Sequence, residues 1–160
     1  MTTQNEKKLT KFLKNIKPDI VVLASWLKKL GISRDLQKHY RNNGWLESVG
    51  RGAYKTPGVK VQWKGGLYAM QYQSKLPVHV GSVTALYLNG SAHYMRQGKE
   101  KVYLFTPNKN KLPKWFMDYN WSDEIIHKRT NFLPVNIGMT IHKENNFDIK
   151  ISSEPEFDVL

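Results

Sequence analysis

Polar side chains that can hydrogen-bond to nucleic acid are concentrated between residues 34 and 41. They are Arg34, Gln37, Lys38 and Arg41. An arginine can donate two hydrogen bonds to the major-groove edge of guanine, and a glutamine can pair with adenine. Spacings of four and three residues place Arg34, Lys38 and Arg41 on one face of a helix, and Gln37 should project beside them. The segment is therefore a candidate recognition helix, in which Arg34 and Gln37 are the predicted base-reading residues.

Basic side chains on both sides of this segment are predicted to hold the phosphate backbone. With those of the helix itself, the expected phosphate contacts come from Lys28, Lys29, Lys38, Arg41, Arg51 and Lys55. Such contacts fix the position of a protein on a duplex without reading its sequence. Ser33 could cap the helix by accepting a backbone hydrogen bond, donate to a phosphate, or do both. Any one of these lysines could equally be a solvated surface charge, so the prediction concerns the group.

Three short helices are predicted to position these side chains. Ile32, Leu36 and Tyr40 fall on one face of a helix from Arg34 to about Asn42. Two earlier helices are predicted from apolar residues at helical spacing, one ending before Pro18 and the other ending at Gly31. The residues that carry these two patterns are Leu9, Phe12, Leu13 and Ile16, followed by Leu23, Trp26, Leu27 and Leu30. Three single apolar stripes can be buried only against one another, as in a small DNA-binding module.

A β-hairpin is predicted directly after the third helix. Gly50-Arg51-Gly52 provides the permissive backbone of a tight turn, and Pro57-Gly58 closes the unit. Trp45 and Tyr54 should pack the hairpin onto the helices rather than stack on bases, because a two-stranded ribbon alone is marginally stable. Arg51 and Lys55 should then lie exposed at its tip. Residues 1–57 are thus predicted to form a winged helix-turn-helix domain.

The second half, residues 58–160, is predicted to be a small mixed α/β region, so that the whole chain belongs to the α+β class. A helix is expected from Val59 to Met70, where Gly65-Gly66 indicates close approach of another backbone. A short strand at 78–80 should lead into a helix capped by Ser82. Four further strands are predicted at 101–106, 125–128, 136–142 and 147–152.

The charge balance favours a polyanionic partner. The chain has 25 Lys and Arg against 13 Asp and Glu, a net charge of +12, and residues 1–56 alone carry +8. The positive field therefore coincides with the predicted winged helix, and such a field attracts nucleic acid. No cysteine is present, which excludes disulfides and thiolate zinc sites. We expect a cytoplasmic protein with no membrane partner, because the longest early apolar run, residues 20–24, is too short for a signal or a span. We expect no cofactor.

Six segments together resemble the AbiEi-type antitoxins, which are winged-helix regulators of type IV toxin-antitoxin and abortive-infection (phage-defence) systems. They are WLKKLGIS at 26–33, GWLE at 44–47, GRGAY at 50–54, GLYAMQ at 66–71, LPVHVGSVTAL at 76–86 and VYLF at 102–105. The resemblance covers about residues 18–153, and the region of Ser33, Arg51 and Gly52 matches in both type and place.

This resemblance implies a function for each half of the chain. The amino-terminal winged helix would bind inverted repeats of double-stranded DNA in its own promoter and repress the operon, with possible self-association on the DNA. The carboxy-terminal domain would antagonise a nucleotidyltransferase-like toxin without a stable complex. The family continues into a helical half where this chain has Glu154-Pro155-Glu156, so we expect an antitoxin-like region shortened at its carboxy end.

Two alternatives assign another function to the second half. The first is a metal-dependent nuclease, because Asp148 and Lys150 share one face of a predicted strand and Asp123 or Glu124 could add a carboxylate. The histidines are scattered and show no metal-ligand spacing. They are His39, His79, His93, His127 and His142. The absence of a recognisable catalytic pattern favours a protein that is not an enzyme.

The second alternative is a protein-interaction module with an accessory DNA-binding domain. Its basis is a group of aromatic residues, namely Trp115, Phe116, Tyr119 and Trp121. Such a group either fills a core or anchors an interface. We predict that it fills a core.

Overall fold

The first part of the chain forms a helix-turn-helix followed by a hairpin, as predicted. A computed structural model describes residues 4, 7–8, 10–12, 16–90, 99–130, 139–144 and 146–152. Residues 4, 7–8 and 10–12 are helical, whereas Leu9 and Leu13 of the predicted first helix lie outside the described residues. The next elements are β1 (Val22–Leu23), α1 (Ala24–Lys29), α2 (Arg34–Asn42), β2 (Glu47–Gly50) and β3 (Ala53–Lys55).

The turn between α1 and α2 follows from two residues. Gly31 has a φ of 89°, in the left-handed region that glycine adopts at low cost. Ser33 then caps α2, because its hydroxyl accepts a hydrogen bond from the amide of Leu36 at 3.2 Å. The predicted bounds of α2 and the cap are both confirmed.

A strand that the sequence did not reveal precedes α1. Leu23 was predicted to be helical, but it lies in β1, which pairs with β3 to make a three-stranded antiparallel sheet of order β1-β3-β2. The side chain of Gln73 holds this segment extended, because it accepts from the amide of Leu23 and donates to the carbonyl of Val21 at 2.8 and 2.9 Å. Gly52, with a φ of 80°, forms the β2–β3 turn.

The second half contains a five-stranded mixed sheet. Its strands are β4 (His79–Val80), β5 (Lys101–Thr106), β6 (Glu124–Arg129), β7 (Met139–Lys143) and β8 (Asp148–Ser152), in the order β6-β5-β4-β8-β7. The four later strands agree with the predicted ones, although residues 136–138 lie outside the described part of the chain. β5 and β6 run parallel, whereas β7 and β8 form an antiparallel hairpin.

The first two helices of this half differ from the prediction at their ends, and the third was not predicted. In chain order they are α3 (Trp63–Tyr68), α4 (Ser82–Leu88) and α5 (Lys114–Asp118), and α3 continues as a π-helical turn, Ala69–Gln73. The predicted cap at Ser82 is wrong. The residue preceding α4 is Gly81, while Ser82 begins the helix with a φ of 54°.

One hydrophobic core extends across both halves. The predicted close approach at Gly65-Gly66 is confirmed, since a Cβ on Gly65 would lie 2.1 Å from the carbonyl oxygen of Asp19. A Cβ on Gly50, at the end of β2, would lie 2.8 Å from Cβ of Trp115 in α5. The hairpin is therefore fixed against the second half as well as against the helices.

Candidate nucleic-acid interface

The outer face of α2 carries three exposed cations. Arg34, Lys38 and Arg41 are all exposed. At 100° per residue, Lys38 lies about 40° to one side of Arg34 and Arg41 about 20° to the other. Within the described part of the chain, none of the three forms an ion pair. The face is therefore a row of unneutralised donors along one side of a short helix.

Gln37 does not belong to this face, and the expectation that it projects beside Arg34 is wrong. It is only 2% exposed, and its amide nitrogen donates to the carbonyls of Ala24 and Ile32 at 3.1 and 3.0 Å. Ala24 is the first residue of α1 and Ile32 lies in the turn before α2, so one side chain contacts both ends of this region. A buried amide group requires such hydrogen-bond partners. Gln37 joins α2 to α1 and cannot reach a base in this arrangement.

The opposite face of α2 is fixed by aromatic packing. Tyr40 is 1% exposed and packs against Trp45, with ring centroids 5.8 Å apart. Burial raises the pKa of the Tyr40 hydroxyl above its ordinary value. Trp45 also meets His39 edge to face at 6.1 Å. The predicted packing role of Trp45 is confirmed. These contacts fix the orientation of α2, whose cations project from its other side.

Lys28 and Lys29 extend the cationic surface to the end of α1. Both are exposed and lie in its last turn. Lys8 adds a cation that sequence reasoning missed, because its Nζ lies 4.0 Å from where a Cβ on Gly31 would be. The sequence does not indicate this position of Lys8, because it depends on how the first helix packs against the turn between α1 and α2.

The hairpin presents one of its two predicted cations. Arg51 is exposed at the β2–β3 turn, as expected for the tip of a wing. Lys55 is not exposed, which corrects the prediction. Its side chain is buried at the base of the hairpin, with Nζ 3.2 Å from Oε2 of Glu47 and 2.6 Å from the carbonyl oxygen of Val59. Cross-strand pairing of Glu47 with Lys55 brings these groups together.

Two polar residues complete the outward surface. Ser33 is exposed while its hydroxyl oxygen caps α2, which leaves the hydroxyl proton available to another acceptor. Asn42 is also exposed, four residues after Lys38, and was missed as a candidate. The same helical spacing that grouped Arg34, Lys38 and Arg41 could have found it.

The residues suggested for a nuclease are not assembled into a metal site. No group of three His, Asp or Glu able to hold a metal ion occurs among the described residues. The ammonium of Lys150 lies over the ring of Tyr72, 5.7 Å from its centroid, and forms no ion pair with Asp148. No helix in the described part of the chain is long and apolar enough to cross a membrane.

The aromatic group around α5 fills the core, as predicted. Trp115, Phe116 and Trp121 are each less than 9% exposed. The indole of Trp121 donates to the carbonyl of Phe116 at 2.7 Å, which satisfies its polar atom inside the core. Tyr119 packs against Trp121 with ring centroids 4.4 Å apart. The second half therefore offers no exposed aromatic anchor at this point.

Comparison with known families decides the class of protein. A model described as a transcriptional regulator, the AbiEi antitoxin N-terminal domain, matches residues 5–97. A second, described as a transcriptional regulator, AbiEi antitoxin, of a type IV toxin-antitoxin system, matches residues 99–159. The chain belongs to the AbiEi antitoxin family. The resemblance stated from the sequence is thus confirmed along nearly the whole chain.

A solved structure shares the fold of this AbiEi family member. The RV2827C protein from Mycobacterium tuberculosis matches with a TM-score of 0.51 at 16% identity. The alignment covers 81% of this chain but 46% of the mycobacterial chain, so the AbiEi chain described here spans less than half of that structure. A comparison with curated proteins gave no match. The α+β fold with its winged-helix arrangement is therefore shared with a larger protein.

Proposed function

We propose that this AbiEi family member is a sequence-specific DNA-binding repressor of its own toxin-antitoxin operon. The observation that carries the proposal is the outer face of α2, where Arg34, Lys38 and Arg41 are exposed and unpaired among the described residues. A helix of this width enters the major groove, and the following hairpin can contact the adjacent backbone. Arg34 is the proposed base-reading residue.

The other contacts proposed for the winged helix are to phosphates. They come from Lys28, Lys29, Ser33, Lys38, Arg41 and Arg51, whereas Gln37 and Lys55 are excluded by their burial. A module that neutralises about five phosphates should give a slope of about −4 to −5 in a plot of log K against log salt. Inverted repeats would be bound by two copies, one on each half-site. Repression of its own operon would place the protein in the cytoplasm, and residues 58–160 would antagonise a nucleotidyltransferase-like toxin.

Binding of the full chain to the DNA upstream of its own gene tests the proposal. The wild type should bind this DNA more tightly than a random duplex of the same length. Arg34→Ala should weaken binding to the upstream DNA by about 5- to 150-fold, because it removes one bidentate base contact. It should weaken binding to random DNA much less.

The matched control is Lys143→Ala, which removes one exposed cation from β7. It should leave both affinities unchanged. Equal losses on the two DNAs for Arg34→Ala would contradict base reading, and a wild type without preference for the upstream DNA would contradict the repressor.

A further inference from the structure

A second group of cations lies in the loop between β5 and α5 and at the first residue of α5. The sequence from residue 107 to 114 is PNKNKLPK, which contains three lysines and no acidic residue. Lys109, Lys111 and Lys114 are all exposed. Within the described part of the chain, none of them forms an ion pair, and Asp118 does not pair with Lys114 one helical turn away. We call these three lysines the loop cluster.

The loop cluster is held in place by the backbone. The amide of Asn110 donates to the carbonyl of Pro107 at 2.9 Å, which closes a turn around Lys109. The hydroxyl of Thr106 donates to the carbonyl of Asn110 at 3.3 Å, and Leu112 is buried in the core. A loop fixed in this way loses little conformational entropy when it binds a ligand.

Lys114, at one end of the loop cluster, lies beside the wing. A Cβ on Gly50 would be 3.1 Å from Cα of Trp115. Arg51 follows Gly50 and Lys114 precedes Trp115, and consecutive Cα atoms are about 3.8 Å apart. The Cα atoms of Arg51 and Lys114 are therefore within about 12 Å of each other. Extended arginine and lysine side chains from these positions can contact neighbouring phosphates of one DNA strand.

We infer that the loop cluster is a second phosphate-binding site, which continues the winged-helix interface onto the DNA that flanks the wing. Arg129 can contribute to it, because β5 and β6 are parallel and Thr106 pairs with Arg129 at the end where the loop begins. The ligand is the sugar-phosphate backbone of duplex DNA, contacted without regard to sequence. This inference rests on the proposed function. It adds to that function a longer footprint on one side and a steeper dependence on salt.

The test uses the full chain with the triple substitution Lys109→Ser, Lys111→Ser and Lys114→Ser. The matched control is Lys99→Ser, Lys101→Ser and Lys143→Ser, which removes the same charge from exposed positions. Lys99 and Lys101 lie at the opposite end of β5 from the loop. Affinity for a mixed-sequence duplex of about 30 base pairs is measured between roughly 0.05 and 0.3 M salt, a range over which phosphate contacts govern affinity. Thermal melting verifies that all proteins are folded.

The loop variant should weaken binding by about 10- to 100-fold at 0.1 M salt and reduce the magnitude of the salt slope by about 2 to 3. The control should change the slope by much less than one. On the DNA upstream of its own gene, where the proposed operator fixes the position of the protein, backbone cleavage by hydroxyl radicals should show that the loop variant loses protection only on the flank next to the wing.

Two results would overturn the inference. If the loop variant and the control lose the same affinity while the wild type binds with a steep slope, the loop cluster is not a DNA contact and the proposed function stands. If the wild type fails to bind any duplex, the proposed function and this inference both fail.

Discussion

The outer face of α2 and the β7–β8 hairpin use charged side chains in opposite ways. On α2, Arg34, Lys38 and Arg41 have no ion-pair partner among the described residues. Beside β7, Lys64 and His142 both contact Oε1 of Glu144, at 2.5 and 2.9 Å. The charges on α2 are therefore available to a ligand, whereas those around Glu144 stabilise the fold. Substitutions in the first group should change DNA binding, and those in the second should change stability.

Gln37 gives the largest expected effect on stability, because it lies on α2 but, although uncharged, its polar side chain holds the fold together. Gln37→Ala removes the side-chain donor to the carbonyls of Ala24 and Ile32, the second of which is buried. The free energy of unfolding should fall by about 1 to 3 kcal/mol. Chemical denaturation measures this loss. The DNA affinity of the folded protein, measured well below the melting temperature, should be unchanged. A change in base preference would show that Gln37 contacts DNA and would contradict its structural role.

The two hairpin cations sharpen the comparison, because they lie four residues apart and differ in exposure. Arg51→Ala should reduce the magnitude of the salt slope by about 1 and leave stability within about 0.5 kcal/mol of wild type. Lys55→Ala should leave the salt slope unchanged but lower the free energy of unfolding by about 1 kcal/mol, because the Lys55 ammonium contacts Glu47 and the Val59 carbonyl. Salt titrations and denaturation of both variants test this. A larger salt effect for Lys55→Ala than for Arg51→Ala would reverse the assignment.

Substitution of Glu144 should have the smallest effect on stability, and this effect should depend on pH. Burial raises the pKa of this carboxyl, but hydrogen bonds and charges from Lys64 and His142 outweigh burial, so that the pKa lies below its usual value of 4.5. A lowered pKa in the folded state adds stability above the unfolded pKa, and this stability is lost as pH falls through the folded pKa.

Glu144→Gln should therefore lower the free energy of unfolding at neutral pH by less than about 1 kcal/mol. The difference from wild type should shrink as pH falls below about 4.5, the usual value for this group. Denaturation at several pH values measures both. A difference that grows on acidification would contradict the pairing.

Local sequence signals were sufficient for α2 and the turn that precedes it. Ser33 and Asn43-Gly44 mark the two ends of the helix, and the apolar spacing of Leu36 and Tyr40 sets its buried side. These signals lie within one or two turns of the residues they control, so they can be recognised without tertiary structure. The cationic face was predictable for the same reason.

The burial of Gln37 and Lys55 could not be predicted, because each depends on how neighbouring elements pack or pair. Glutamine is usually exposed, and the sequence does not show that the carbonyls of Ala24 in α1 and Ile32 in the turn lie within reach of Gln37. Lys55 pairs with Glu47 because of the hairpin register, which contains an irregularity between Ser48 and Gly50. β1 was missed because two residues are too short for a pattern.

A footprint of the full chain on the DNA upstream of its own gene tests the central claim most directly. We expect two protected stretches with inverted-repeat symmetry, separated by a whole number of helical turns of about 10 base pairs. Protection should be weakened by Arg34→Ala and unchanged by Lys143→Ala. Uniform protection of any DNA offered, or no protection at all, would contradict the claim that α2 and the wing read an operator.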